Sequence, residues 1–506
     1  MNFAHSLSEL LHNVVRSAEP GFALGVYADG KLVDHAVAGL ASVEFGVPID
    51  TRTRFDIASV SKQFTATAAL LLCRKGQLSL DDDIREHLPE LKLSVPVTIG
   101  QCLMHTGGLR EWLSLRTLTG RPRTRMTQDQ ALALVAGVTD VNFAPGTAFS
   151  YSNTGYILVA SAIERITGQT LRAFTTEHLF APLGMADTHF RDDSQEPLPR
   201  FAYGYSVSDK GVHRADTEEC AVGDGMVATS IDDLAPWFGF LRDGRVLGAD
   251  LRDALLAHDR PYGLGLYHTT IGGQAVLGHS GGAVGYCSQL FYLPERGVGV
   301  ALLANNSSIN PMRIGAEALR LAAGLPKDPE PVREQTAETL TGYWRDPGTD
   351  ATFLAEPAPG GDTTLSGGYL SGTFVRTTDG TWHGEHFRLR VTPDSIVVTS
   401  VHDPGADRTY RRCAPPAEGT MLPASVYLSR DLGILATITE QGFLSLGLNL
   451  VAPITPAPAG GFTAGPVTLR LDGDDLLVSM HGVHQLRFIR EPHSTRPVGI
   501  PPGLNK

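Results

Sequence analysis

Ile57-Ala58-Ser59-Val60-Ser61-Lys62-Gln63-Phe64 leads into the apolar run Phe64–Cys73, and the reading of this stretch decides the fold. A serine at the start of a helix sits at the positive end of the backbone dipole, beside N–H groups with no intrahelical partner. A lysine three positions on returns to the same face, one turn down. In an apolar wall that lysine gives up its proton easily and can activate the hydroxyl. Alone, SxxK fits a serine cap with a solvated lysine equally well, so its neighbours must decide.

Two further elements follow. Pro145-Gly146 precedes Phe149-Ser150-Tyr151-Ser152-Asn153, which puts a tyrosine and an asparagine two apart on one loop. A tyrosine hydroxyl relays protons, and an asparagine binds a carbonyl and a lysine. His279-Ser280-Gly281, ahead of the strand-like Ser288–Leu293, reads as a turn. In this order the three resemble the signature of the penicillin-recognising serine hydrolases: class C β-lactamases, DD-peptidases, related esterases and D-aminopeptidases. The phrases QLSLDDDIREHLPEL (Gln77–Leu91), VTIGQCLMHTGGL (Val97–Leu109), FAPGTAFSYSNTGYIL (Phe143–Leu158) and HLFAPLGMADT (His178–Thr188) are similar to that family's, over about residues 20–325. IASVSKQF and the two β units that follow are most similar to the D-aminopeptidase branch, whose members carry two barrels after the catalytic domain.

The resemblance implies an α+β protein: a β-lactamase-like domain, with an antiparallel sheet flanked by helices plus a helical subdomain, followed by two small antiparallel β-barrels. It implies that Ser59 is the acylated nucleophile. Lys62 and Tyr151 would share the general-base work and protonate the leaving group, and Asn153 would orient substrate and Lys62. His279 would replace the lysine that most β-lactamases carry in the third motif, with Ser280 and Gly281 beside the substrate. The backbone N–H groups of Ser59 and Gly282 would form the oxyanion hole, where such donors are typically worth ~3 kcal/mol each. His105, within HTGG, is expected to be structural.

The rest of the chain agrees with that layout. Gly21–Ala41 alternates around a turn at Asp29-Gly30, a hairpin signal. A helical stretch runs from Ser59 to about Thr188, and strand-like runs return at Gly263–Tyr267, Ala275–Leu277, Ser288–Leu293 and Val298–Ala304. A helix at about Met312–Ala323 leads into the proline-rich linker Gly324–Pro331. The first unit is therefore 1–328. Beyond it the texture repeats with a period of about 80 residues: Tyr343-Trp344 answers Tyr427-Leu428, Ala351-Thr352-Phe353 answers Ala436-Thr437-Ile438, DSIVVTS from Asp394 answers DDLLVSM from Asp474, and TYRR answers RFIR. This divides the remainder into two antiparallel barrels, 335–415 and 416–495.

Composition narrows the function. The 506 residues carry 42 Lys and Arg against 54 Asp and Glu, a net charge of -12, which opposes nucleic acid and an anionic membrane surface as partners. No apolar run is long enough to span a bilayer. Met1–Glu19 is expected to be an amphipathic helix without the basic start of a signal peptide, so a cytoplasmic location is expected. The five cysteines are scattered and read as buried thiols. No cofactor or metal is implied. No nucleotide fingerprint stands in a strand–turn–helix context, and the pairs His383/His386 and His481/His484 read as surface histidines. The oligomeric state is left open.

No Lys or Arg occurs from Pro261 through Glu295, so nothing there holds a substrate carboxylate, and poor β-lactamase and carboxypeptidase activity is expected. Leu446–Leu469, uncharged and rich in proline, reads as a long loop, expected to lean over the cleft and narrow it with Phe462 and Ile454. Thr217–Met226 concentrates acid. Glu218 and Glu219 are expected to be solvated, and Asp224 is expected to meet a substrate ammonium. The leading expectation is a D-stereospecific aminopeptidase or amidase on small peptides, amides or esters. The alternatives are an esterase or peptide acyl transferase using the same acyl-enzyme, and a silent binding or sensing member.

Overall fold

Lys62–Arg74 forms the helix expected behind SxxK (α1), entered through a short 3₁₀ turn at Ala58–Ser61. Every residue from Lys62 to Leu72 is buried. α1 is thus the centre of the first unit, with neighbours on all sides. Trp112–Leu118 (α2) and Asn153–Thr167 (α3) belong to the helical layer around it, α3 ending in a left-handed Gly168. The computed structural model describes Val15 and residues 17–120, 125–257, 260–327, 332–334, 340–367, 370–385, 387–400, 407–417, 419–447 and 450–491. Most of the Met1–Glu19 helix, part of the 324–331 linker, and His386 lie outside the described residues.

The alternation FALGVYA becomes Phe22–Ala28 (β1), paired with Lys31–Ala38 (β2) across the Asp29-Gly30 turn. Tyr267–Ile271 (β3), Gln274–Ala283 (β4), Tyr286–Leu293 (β5) and Val298–Ala304 (β6) complete an antiparallel sheet of order β3-β4-β5-β6-β1-β2. Side chains along a strand alternate between faces. Phe22, Leu24 and Val26 meet helix Pro311–Ala322 (α5) through Ile314 and Leu319, whereas Ala23 and Tyr27 join the core that holds Trp237 and Phe238 of Leu234–Asp243 (α4). Both faces are covered, which is why β1 is almost wholly buried.

His279-Ser280-Gly281 is not a turn: it lies within β4, opposite Leu290, Gln289 and Ser288 of β5. The glycine is the reason the strand fits. A Cβ on Gly281 would lie 2.3 Å from the Ile57 carbonyl oxygen and 2.2 Å from Ser288 Oγ. Gly281→Ala should therefore lower unfolding stability by about 2–3 kcal/mol, read as a shift of the denaturant midpoint. An unchanged midpoint would mean that β4 does not press on the Ser59 segment.

After the linker, the strands from Gly342–Arg345 to Arg408–Cys413 follow one another in order, and Tyr343 pairs with Cys413 to close a barrel. A nine-stranded, barrel-like sheet follows, from Ser425–Ser429 to Val483–Arg490. The repeated segments fall on corresponding strands: Tyr343 and Tyr427 on the first strand of each sheet, Phe353 and Ile438 on the second, and TYRR and RFIR on the last.

The 446–469 segment corrects the sequence reading. From Leu450 on it is not a loop over the cleft but strands Leu450–Pro453, Thr455–Ala457, Gly461–Ala464 and the start of Val467–Asp472, and residues 448 and 449 lie outside the described residues. Its prolines are tolerated because the first two strands are the two edges of the sheet, Pro458 opens a 3₁₀ turn, and Pro466 sits between strands, all places where a missing N–H does little harm. Phe462 pairs with Leu469 and is buried in the core of the second sheet, where Ile454 also packs. Neither side chain narrows the cleft.

Candidate active site

The segment leading to Ser59 is shaped before that residue is reached. Phe55–Asp56 pairs with Ala228 and Thr229, and the next turn places Ala58 in the left-handed region at φ 48°. A side-chain-bearing residue adopts that conformation at a cost, and structures keep such strain mainly where geometry must be held. Here the Ala58 N–H donates to Asp56 Oδ1 at 2.8 Å. Burial raises the Asp56 carboxyl to about 6, against the pull of Arg191.

Lys62, one helical turn on, is fully buried. Its Nζ lies 3.1 Å from Ser59 Oγ, 2.7 Å from Asn153 Oδ1 and 2.5 Å from the Asp224 carbonyl oxygen. Burial brings its pKa down to about 8, while the negative charges of Asp224 and Glu111 hold it up. Two of the three partners can only accept. A neutral amine has two N–H bonds for those carbonyls, and its lone pair then faces the one partner that carries a proton, the Ser59 hydroxyl.

Asn153 opens α3 rather than lying on a loop with Tyr151. The Tyr151 ring stands 4.9 Å from Lys62 Nζ and packs 4.2 Å from His105. The His105 ring is buried among Tyr151, Tyr156 and Tyr262, and Nδ1 accepts the Ser152 N–H. Burial and the Lys62 charge keep His105 neutral, well below its usual pKa.

The third motif departs from expectation. His279 does not line the cleft: Nδ1 donates to the Ser280 carbonyl at 2.6 Å and Nε2 accepts from Tyr262 Oη at 2.8 Å. Burial, then Lys62, lowers it to about 3, so it carries no charge. The Ser280 hydroxyl binds Gln289 Oε1 at 2.7 Å, and the Gly281 α-carbon faces Ile57 and Ser288. Neither residue reaches the cleft. The side chains of an interior strand are claimed by its neighbours, and a turn would have left them free. Gly282, next along, does line the cleft, with open space at its α-carbon.

That cleft, 170 Å³ in volume, is lined among others by Ser59, Asn153, Trp112, Asp224 and Gly282. Asp224 is buried, and its Oδ2 accepts the Trp112 indole N–H at 3.0 Å. Burial raises its pKa, and Lys62 opposes the rise. Glu219 is not solvated as the sequence suggested; it is buried, lines the same cleft and pairs with Arg116. Burial takes Glu219 up to about 7. Arg116 is the guanidinium in the cleft, held by Glu219 and by the Trp112 ring 5.1 Å away.

Sequence reasoning missed Glu111. Its carboxylate accepts the Asn153 backbone N–H at 2.6 Å and one Asn153 Nδ2 hydrogen at 3.2 Å, which turns Oδ1 towards Lys62. Its own N–H donates to the carbonyl of Gly482 at 2.8 Å. Gly482 belongs to the turn between Asp475–Met480 and Val483–Arg490 in the second sheet. That turn is the barrel segment bonded to Glu111. Ser114 Oγ donates to the His481 carbonyl, and Arg110 Nη1 to the His484 carbonyl. The one signal in the sequence was an acid set in the apolar stretch GGLREWLSL.

The chain is similar to the D-aminopeptidase of Cereibacter sphaeroides, 30% identical over 67% of this chain and 66% of that protein, so it spans just under two thirds of the length of that relative. Its fold is similar to the octameric penicillin-binding protein homologue from Pyrococcus abyssi: TM-score 0.58, 22% identity, 81% of this chain and 100% of that one. A D-stereospecific amidohydrolase from Streptomyces is similar over 62% of this chain and 98% of its own, with TM-score 0.52 and 24% identity. The Beta-lactamase family model matches residues 8–325, a span that contains every cleft residue from Asp56 to Val284, and the chain belongs to that family.

Proposed function

We propose that this chain is an amidase or aminopeptidase that forms an acyl-enzyme at Ser59 and acts on small substrates with a free amine on a D-residue. The observation that carries the substrate side is the buried Asp224 carboxylate in the same small cleft as Ser59. The chemistry rests on Lys62. Its neutral amine takes the Ser59 proton as Oγ bonds to the substrate carbonyl carbon, and the Ser59 and Gly282 N–H groups receive the oxyanion. The C–N bond then breaks, the leaving amine takes the proton from Lys62 or Tyr151, and the acyl group stays on Oγ. Water attacks that ester by the same base, giving the acid and free Ser59. The preference for D-substrates is drawn from the D-aminopeptidase relatives.

Asp224 supplies the test. Losing a partly buried charge partner typically costs ~2–5 kcal/mol, so Asp224→Asn should raise KM for D-alanine amide by at least roughly tenfold. N-acetyl-D-alanine amide should barely respond. Because Asp224 also holds the Lys62 pKa up, comparing the two substrates in one variant cancels that shared effect. Equal changes for both, or a preference of the wild type for the acetylated amide, would reject amine recognition.

Arg116 supports a second expectation about substrates. Being paired with Glu219, it offers no free cation to a substrate carboxylate. Cephalosporin turnover should accordingly stay at least roughly a hundredfold below amide turnover in kcat/KM, since a site that leaves a buried carboxylate unpaired loses several kcal/mol. Efficient cephalosporin hydrolysis would contradict it.

A further inference from the structure

A second cavity, 550 Å³ in volume, lies beyond Asp56 and Arg191. Asp56 lines the catalytic cleft, Arg191 lines the second cavity, and their charged groups are 3.7 Å apart. One wall is the hairpin of Leu40–Ser42 and Val47–Pro48, and the other is the 191–203 segment with Arg214 and Asp216. Its volume lies in the range of small-molecule sites.

The charges around it are unevenly matched. Each acid that lines it has a local partner: Asp216 has Arg191, Glu196 has Arg172, and Asp50 takes the Thr53 hydroxyl and the Arg52 N–H. The arginines are less fully used. Arg214 lies 3.8 Å from the Tyr203 ring centroid, which fixes its plane, and its nearest carboxylate is Glu44 at 3.9 Å. Arg200 has no carboxylate within ion-pairing distance among the described residues. It also holds a left-handed backbone at φ 58°, its carbonyl taken by the Arg54 N–H. Strain kept in a side-chain-bearing residue at a cavity wall is a pointer to use. In a chain of net charge -12, two under-partnered guanidinium groups facing one cavity favour an anion. The three acids nearby would repel a dianion, which leaves a single carboxylate. Aromatic surface is present to hold the rest of the molecule, with Phe201 and Tyr203 in the wall and Phe45, 75% exposed, at the hairpin tip.

We infer that this cavity binds a small organic monocarboxylate with an aromatic body, its carboxylate taken by Arg200 and Arg214 and its ring by Phe45, Phe201 and Tyr203. The site is separate from the Ser59 cleft, and the inference does not depend on the reaction proposed there. Calorimetric titration of the whole protein with 3-phenylpropanoate tests it. The expected result is a Kd below about 1 mM that weakens with added salt. The doubly substituted R200A/R214A protein, with its thermal midpoint unchanged, should bind at least tenfold more weakly. The neutral 3-phenylpropanamide should also bind at least tenfold more weakly than the acid. Protein phosphonylated at Ser59 should bind the acid as the unmodified protein does. Absence of binding, equal binding of the amide, full binding by the double variant, or loss of binding on phosphonylation would each overturn the inference.

Discussion

Ser59→Ala is expected to lower kcat for D-alanine amide by at least roughly 10⁴-fold and to abolish covalent labelling by a fluorophosphonate. The reason is geometric. Lys62 Nζ is 3.1 Å from Ser59 Oγ, and its other two partners only accept hydrogen bonds. Removing Oγ leaves a competent base with no nucleophile to deprotonate. The variant should fold normally, because Ser59 is partly exposed at the cleft and caps no helix with its side chain. Mass spectrometry of the wild type after labelling should locate one adduct, on Ser59. Labelling elsewhere, or turnover by Ser59→Ala within tenfold of wild type, would reject the acyl-enzyme and leave a binding or sensing role for the same cleft.

The second large effect is expected far from the nucleophile. Gly482 has φ 67°, and a Cβ there would lie 2.5 Å from the Cβ of Glu111. Gly482→Val therefore has to push the barrel turn off Glu111. Glu111 holds Asn153, and Asn153 holds Lys62. Displacements of about 1 Å remote from the chemistry can cost about 10²-fold, so kcat should fall by roughly that factor with KM little changed. A pH profile separates this positioning role from a general loss of fold. An amine acts as a base only when neutral, so with Lys62 as the proposed base wild-type kcat/KM should rise with pH and level off above about 8. Glu111→Gln removes a negative charge that holds the Lys62 pKa up, so its acidic limb should move to lower pH, at a reduced plateau. An acidic limb that stays in place in Glu111→Gln would disconnect Glu111 from the base.

Much of the fold was legible because it is written in local patterns. The alternation in Phe22–Ala28 places Phe22, Leu24 and Val26 on one face and Ala23 and Tyr27 on the other, as the two cores of the sheet require. The 80-residue repeat announced two related sheets because antiparallel strands and their turns are short-range features. The prolines of 450–466 misled for a related reason. Proline excludes a central strand but not an edge, and which strand becomes an edge is settled only when the whole sheet has paired.

The site divides in the same way. The sequence by itself determined Ser59 and Lys62, since a helix turn brings residues three apart onto one face whatever surrounds it. It also determined, through its phrasing, the family and the presence of Asn153 and Asp224 near them. Only the tertiary structure decided that His279 turns to Tyr262 instead of the cleft, that Arg116 is taken up by Glu219, and that Glu111 links Asn153 to a turn of the second barrel. Each of these is a hydrogen bond or ion pair between separate elements, from 17 positions apart for Tyr262 and His279 to 371 for Glu111 and Gly482. A buried polar group takes whichever partner the folded core brings within about 3 Å, and no local pattern encodes that choice.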